Sequence, residues 1–71
     1  MALIPSRSGV VSQFDDHAGL GEVTDDDGAV HPFHCTAIAD GSRTIDAGTR
    51  VCYRVTPGRG GRWEALELVA V

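Results

Sequence analysis

Short runs of β-branched and aromatic residues, separated by clusters of Gly, Asp and Pro, dominate the hydrophobic pattern of this chain. No window of helical length carries apolar residues at the i, i+3, i+4, i+7 spacing of an amphipathic helix. The clearest alternation lies in residues 49 to 56, where one side of a strand would carry Val51, Tyr53 and Val55. The other side would carry Arg50, Cys52 and Arg54. The pattern therefore predicts an all-β domain.

Five strands are predicted, at residues 9 to 14, 19 to 24, 30 to 35, 49 to 56 and 63 to 71. Residues 15 to 18 and 25 to 28 favour turns, because Asp side chains bond to nearby backbone and an Asp-Gly pair suits a hairpin. Pro32 lacks an N–H for a ladder, so we expect an edge or a bulge there. Residues 36 to 49 show no strand pattern, although residues 37 to 39 could form one helical turn.

The inward positions of these strands predict the core. It should contain Val11, Val23, Phe33, Ile38, Val51, Tyr53 and Val55. Gly19 and Gly21 are expected where the second strand bends. The register of the fifth strand stays open, because Val69 and Val71 interrupt its alternation.

The length of 71 residues predicts one domain, residues 9 to 71, after a frayed segment of residues 1 to 8. No run approaches the roughly 20 apolar residues of a membrane helix, and the first residues are too few and too uncharged for a signal peptide. A cytoplasmic protein without membrane contact is therefore expected. Cys35 and Cys52 are too few for a disulfide scaffold, so we expect reduced thiols.

Charge divides the chain into two unlike parts. Residues 1 to 40 hold seven acidic residues and one arginine, whereas residues 41 to 71 hold five arginines and three acidic residues. All six basic residues are arginine. A polyanion attracted by the second part would be repelled by the first.

Three segments resemble the opening strands of a cold-shock domain: Gly9-Val10-Val11-Ser12-Gln13-Phe14, Ala18-Gly19-Leu20-Gly21-Glu22-Val23 and His31-Pro32-Phe33-His34-Cys35. The first ribonucleoprotein motif of that family usually reads Lys-Gly-Phe-Gly-Phe-Ile, and the second Val-Phe-Val-His-Phe. Residues 42 to 51 are similar to the family's Phe-Lys-Thr-Leu-x-x-Gly-x-x-Val, and residues 58 to 60 to its glycine-basic-glycine loop. The resemblance implies a five-stranded antiparallel OB-type barrel that binds single-stranded RNA or DNA, without enzyme activity, cofactor or metal.

Most stacking positions of that family carry other residues here. The resemblance places Gln13 at a usual tryptophan, Ser42 at a further aromatic position, and four residues at the motif phenylalanines, namely Leu20, Glu22, Pro32 and Cys35. Phe14 and His34 remain as stackers, and Glu22 puts a carboxylate where a base or phosphate would lie. Since each stacked base contributes roughly 1–3 kcal/mol, we expect micromolar or weaker binding.

A basic-aromatic cluster could compensate, formed by Arg54, Arg59, Arg62 and Trp63, because guanidinium groups and rings both stack on bases. Alternatively, Trp63 caps the barrel and the arginines maintain solubility. The predicted nucleic-acid contacts are Phe14, Leu20, His34, Arg43, Arg54, Arg59 and Trp63. The alternative function is a protein-interaction module whose acidic open face meets a basic partner or a second copy in a homodimer.

Metal and catalytic sites are not expected. His31 and His34 would point to opposite faces of a strand. The Asp-Asp-Asp-Gly segment lacks the later ligands of a calcium loop, so a solvated turn is the better interpretation. No serine, cysteine or histidine has the sequence context of a nucleophile, so no catalytic residue is predicted.

Overall fold

The protein forms one antiparallel sheet of five strands. The computed structural model describes residues 6 to 71, except for the side chain of Arg59. The strands are β1 (Arg7–Asp15), β2 (Leu20–Asp25), β3 (Val30–His34), β4 (Arg50–Pro57) and β5 (Trp63–Ala70), with 3₁₀ turns at Cys35–Ala37 and Arg59–Gly61. The all-β prediction is confirmed for these residues. They include no helix long and apolar enough to cross a membrane.

The strand order in the sheet is β3-β2-β1-β4-β5, so β3 and β5 are its two edges. The sheet is not closed into the expected five-stranded barrel, because no ladder joins β3 to β5 within residues 6 to 71. The two edges nevertheless meet where His31 Nδ1 lies 3.1 Å from the backbone oxygen of Trp63. A carbonyl oxygen can only accept, so this imidazole nitrogen is the donor.

Strand boundaries lie close to the predicted ones. β1 begins at Arg7, so the predicted frayed segment of residues 1 to 8 ends inside a strand, and residues 1 to 5 lie outside the described residues. β3 ends at His34, one residue early, because the chain turns into the 3₁₀ turn there. The His34 ring caps this turn by accepting a hydrogen bond from Thr36 N–H at 3.3 Å. The helical turn predicted at residues 37 to 39 thus begins two residues earlier.

The hydrophobic core contains all seven predicted residues, and that prediction is confirmed. It also contains Ala65 and Leu68, which lie an odd number of residues apart in β5. A bulge explains this: Cys52 pairs with Val69 whereas Arg54 pairs with Leu66, so β5 has one extra residue. Glu67 takes a φ of 54° at this point. The side chains that point inward therefore switch from odd-numbered to even-numbered residues at this bulge. This switch is why the alternation of β5 is hard to follow in the sequence.

A second bulge lies in β1. Val11 pairs with Val23 and Gln13 pairs with Glu22, so Ser12 has no direct partner on β2. As a result Gln13 lies on the outer side with Glu22, and Phe14 turns back toward the core. This bulge determines which residues of β1 face the site described below.

The prediction of a solvated turn at residues 25 to 28 is wrong for Asp25, which is buried. It is the last residue of β2 and only 8% exposed. Its carboxylate accepts hydrogen bonds from the Tyr53 hydroxyl and from the Asp27 N–H. Arg7 Nη1 lies 3.5 Å away. Burial raises the pKa of Asp25, but these hydrogen bonds and the Arg7 charge outweigh it and hold the pKa below its usual value.

Candidate functional site

A cleft of about 430 Å³ opens on the side of the sheet formed by β1, β2 and β3. Residues of all three strands and of the β1–β2 turn line it: Gln13, Phe14, Asp15, Ala18, Leu20, Gly21, Glu22, Pro32 and Phe33. Concave surfaces of this kind are the usual location of binding sites. We therefore take this cleft as the candidate site.

Two cross-strand rows form its outer surface. Gln13, Glu22 and Pro32 lie side by side in the first row. Asp15, Leu20 and His34 lie side by side in the second. Leu20 is 54% exposed. The outer rows thus bring together Gln13, Leu20, Glu22 and Pro32, the four positions where the resemblance implies a base-stacking aromatic residue. None of the four is aromatic in this chain.

The floor of the cleft is aromatic. Phe14 stacks on Phe33 with ring centroids 5.8 Å apart and an angle of 6° between the planes. Gly21 lies between them in the register, and a Cβ there would come within 2.6 Å of the Phe33 ring and 2.8 Å of the Phe14 ring. Phe14 is therefore part of the floor, with one ring face already covered, rather than a free stacking ring in the outer rows.

The chemistry of the cleft is acidic. Glu22 Oε1 accepts a hydrogen bond of 3.0 Å from Gln13 Nε2. Asp15 Oδ1 accepts from the N–H groups of His17 and Ala18 at 2.9 and 3.2 Å, so this carboxylate also holds the β1–β2 turn. Within the described part of the chain, the residues that line the cleft include no arginine. Two carboxylates at its edge make it unfavourable for phosphate.

The loop that carries Arg43 contacts the β1–β2 turn, which borders the cleft. Thr44 Oγ1 donates a hydrogen bond of 2.6 Å to Asp16 Oδ1, which joins the loop of Arg43 to the β1–β2 turn. Arg43 itself is exposed, with a φ of 62°, and forms no ion pair with any described residue. Arg43 is thus an exposed cation in a loop that contacts the β1–β2 turn, and it does not itself line the cleft.

Arg54 and Trp63 lie elsewhere and do not come together. Trp63 pairs with Pro57 and points to the side of the sheet that carries the buried Ala65. Arg54 pairs with Leu66, points to the opposite side and lies 3.9 Å from Glu67 Oε1. The predicted basic-aromatic cluster is therefore wrong for this pair, because Arg54 and Pro57, the partner of Trp63, are three residues apart on β4 and so point to opposite faces.

Trp63 is 45% exposed and its backbone oxygen contacts His31, so it lies where β5 meets β3. Arg62 is exposed in the loop before it. Arg59 begins the same loop. Its predicted contact with nucleic acid depends on its side chain, which lies outside the described part of the structure. Of the predicted contacts, Phe14 and Leu20 line the cleft and His34 lies beside Leu20. Arg43 is in the loop that contacts the β1–β2 turn, whereas Arg54 and Trp63 with its loop do not line the cleft.

The cysteines and histidines agree with the sequence analysis on two points. Cys35 and Cys52 are free thiols. His31 is buried and His34 is exposed, which confirms that they face opposite sides. Within residues 6 to 71, no group of three potential ligands could hold a metal ion.

Two features of the site were missed by the sequence analysis, namely the Gln13–Glu22 hydrogen bond and the Thr44–Asp16 contact. The first depends on the bulge at Ser12, and the second joins residues 28 positions apart, so neither has a local sequence signal. In the comparisons with known proteins, no protein-family model matches this chain, and no curated protein matches it.

Proposed function

We propose that this protein is a cold-shock-like module with an OB-type arrangement of strands, and that it binds single-stranded RNA or DNA through the β1–β3 cleft. The observation that carries the proposal is the pair of outer rows, which place Gln13, Leu20, Glu22 and Pro32 on one concave surface. The resemblance assigns base-stacking residues to the same four positions. The paired order β3-β2-β1-β4-β5 is compatible with an OB-type sheet whose edges have come close without pairing.

In this proposal a base lies against the apolar surfaces of Leu20 and Pro32 and the accessible part of Phe14. His34 extends that surface beside Leu20. The phosphates run past Arg43, outside the two carboxylates. Because each missing ring removes roughly 1–3 kcal/mol of stacking, the affinity is micromolar or weaker.

The acidic edge of the cleft favours a second candidate, a protein-interaction module. Glu22 and Asp15 would attract a basic segment of another protein or of a second copy. Three arginines, Arg7, Arg50 and Arg54, already pair with acidic residues of this chain. Both candidates use the same surface and neither is an enzyme. The cytoplasmic location stays a prediction.

Fluorescence anisotropy with labelled short single strands at low salt tests the nucleic-acid proposal. Glu22→Phe restores a ring and removes a charge at the centre of the outer rows, so it should tighten the binding of an all-thymine strand by roughly 2 kcal/mol. The matched control is Asp46→Asn, which removes one exposed acidic charge outside the cleft. It should change binding much less.

Trp63→Ala should leave binding unchanged, because Trp63 lies away from the cleft. If neither the wild type nor Glu22→Phe binds any strand at low salt, nucleic-acid binding is excluded. Titration with a labelled arginine-rich peptide then tests the second candidate. In that case Glu22→Gln should weaken peptide binding more than Asp46→Asn does.

A further inference from the structure

We propose that Gln13 and Glu22 read guanine, so that the protein prefers single strands which carry an unpaired guanine. This inference rests on the proposed function and concerns the same cleft. Gln13 and Glu22 are cross-strand neighbours in the first outer row, and both line the cleft.

The orientation of the Gln13 amide follows from its partner. A carboxylate carries no proton, so the amide nitrogen must face Glu22 Oε1 at 3.0 Å. The second hydrogen of Nε2 remains available as a donor. Glu22 Oε2 and the second lone pair of Oε1 remain available as acceptors. Ser12 Oγ donates to the backbone oxygen of Glu22 at 3.1 Å, which ties the bulge of β1 to this position.

The pair therefore offers one donor beside two acceptors. The Watson–Crick edge of guanine carries the complementary order: the O6 acceptor, the N1–H donor and the N2 amino donor. Guanine can thus accept from Gln13 and donate twice to the Glu22 carboxylate. The two hydrogen bonds to the carboxylate make this a bidentate contact, and bidentate contacts discriminate between bases.

The other bases match less of this pattern. Adenine offers the N1 acceptor beside its 6-amino group, and cytosine offers the N3 acceptor beside its 4-amino group, so each can form two of the three hydrogen bonds. Thymine and uracil offer an acceptor and an N–H, but their second carbonyl oxygen would face the carboxylate. The expected order of preference is guanine, then adenine and cytosine, then thymine and uracil.

The surroundings of the pair favour a single flat base. Pro32 is the next residue of the same row, and Leu20 lies in the second row, so apolar surface flanks the reading groups. Glu22 and Asp15 exclude phosphate from the cleft, which leaves the backbone of the strand outside it. A free guanine nucleotide offers the same base chemistry, so the experiment includes one.

The experiment uses labelled oligothymidylate strands whose central base is guanine, hypoxanthine, adenine, cytosine or thymine. Anisotropy at low salt should show that the guanine strand binds about tenfold more tightly than the all-thymine strand. Hypoxanthine lacks the 2-amino group and should lose most of this gain. Competition by unlabelled GMP but not TMP would support the same assignment for the free nucleotide.

Three variants separate base reading from general charge repulsion. Glu22→Gln keeps the shape but removes one acceptor and the charge, so the guanine preference should disappear while the all-thymine strand binds equally or more tightly. Asp46→Asn removes a charge outside the cleft and should keep the preference. Gln13→Ala removes the donor to O6 and should reduce the preference.

The outcomes distinguish this inference from the proposed function. If no strand binds, nucleic-acid binding itself fails. If strands bind but thymine equals or exceeds guanine at the central position, the guanine assignment is overturned and nucleic-acid binding stands. A guanine preference that survives Glu22→Gln would also overturn it, because the base would then be read by other groups.

Discussion

Tyr53→Phe tests whether the buried contact between Tyr53 and Asp25 stabilises the fold. Tyr53 is 1% exposed and its hydroxyl donates to the Asp25 carboxylate. Removing a hydrogen bond to a buried charged group costs about 1.5–3 kcal/mol. Arg7 and the Asp27 N–H still contact the carboxylate in the variant. We therefore expect a loss of about 2 kcal/mol, or a Tm lower by roughly 8–16 °C for a domain of this size.

The loss should depend on pH in a defined direction. The pKa of Asp25 is lowered in the folded protein. Its ionised form therefore stabilises the fold above the ordinary Asp pKa of about 3.9, and this contribution disappears as the pH falls through the folded pKa. Without the Tyr53 hydroxyl the folded pKa of Asp25 rises. The difference between wild type and Tyr53→Phe should thus be largest near neutral pH and shrink in acid.

Urea unfolding followed by circular dichroism measures both effects. The matched control is Asp27→Asn, since Asp27 also contacts Arg7 but is 61% exposed, and its change should stay within about 0.5 kcal/mol. A double-mutant cycle with Asp25→Asn isolates the pair. A Tyr53→Phe protein as stable as the wild type near neutral pH would refute the assignment of this contact, and so would a loss that persists unchanged in acid.

Three further changes test the packing and the site. Gly21→Ala should lower the free energy of unfolding by about 2 kcal/mol, because the new Cβ would lie 2.6 Å from the Phe33 ring and 2.7 Å from a backbone oxygen. Unchanged urea unfolding would contradict that packing. Val51→Asp should prevent stable folding at neutral pH, because it buries an unpaired carboxylate at a fully buried position. A folded Val51→Asp protein in circular dichroism would show that the inward face of β4 is misassigned. Arg43→Ala should weaken oligonucleotide binding and reduce the slope of log affinity against log salt by about one, whereas an unchanged slope would remove Arg43 from the phosphate path.

The sequence predicted the core because alternation in β4 and in the central strands directly reports which side is buried. Val51, Tyr53 and Val55 are all buried, as expected. The same rule could not place Leu68, since the bulge at Glu67 adds one residue and reverses the parity of β5. A bulge is hard to see in the hydrophobic pattern of a strand. The positive φ at this bulge belongs to Glu67 and not to a glycine, so the residue type does not mark it either.

Asp25 and Trp63 were misjudged for a related reason. Asp25 looked like part of a solvated turn, because the three consecutive aspartates are alike in sequence. Its burial depends on the Tyr53 hydroxyl, 28 residues away, which no local pattern reveals. Trp63 and Arg54 belong to paired strands, but the register places them on opposite sides of the sheet. Local composition predicted the elements, whereas contacts across the sheet required the structure.

The outer rows explain how this surface can change its chemistry without changing the fold. Gln13, Glu22 and Pro32 point away from the core, so substitutions at these positions remove little buried packing. Gly21, one register position away, is fixed by its contact with the stacked Phe14 and Phe33. The stability of the fold therefore constrains the glycine and the aromatic floor more strongly than it constrains the outer rows.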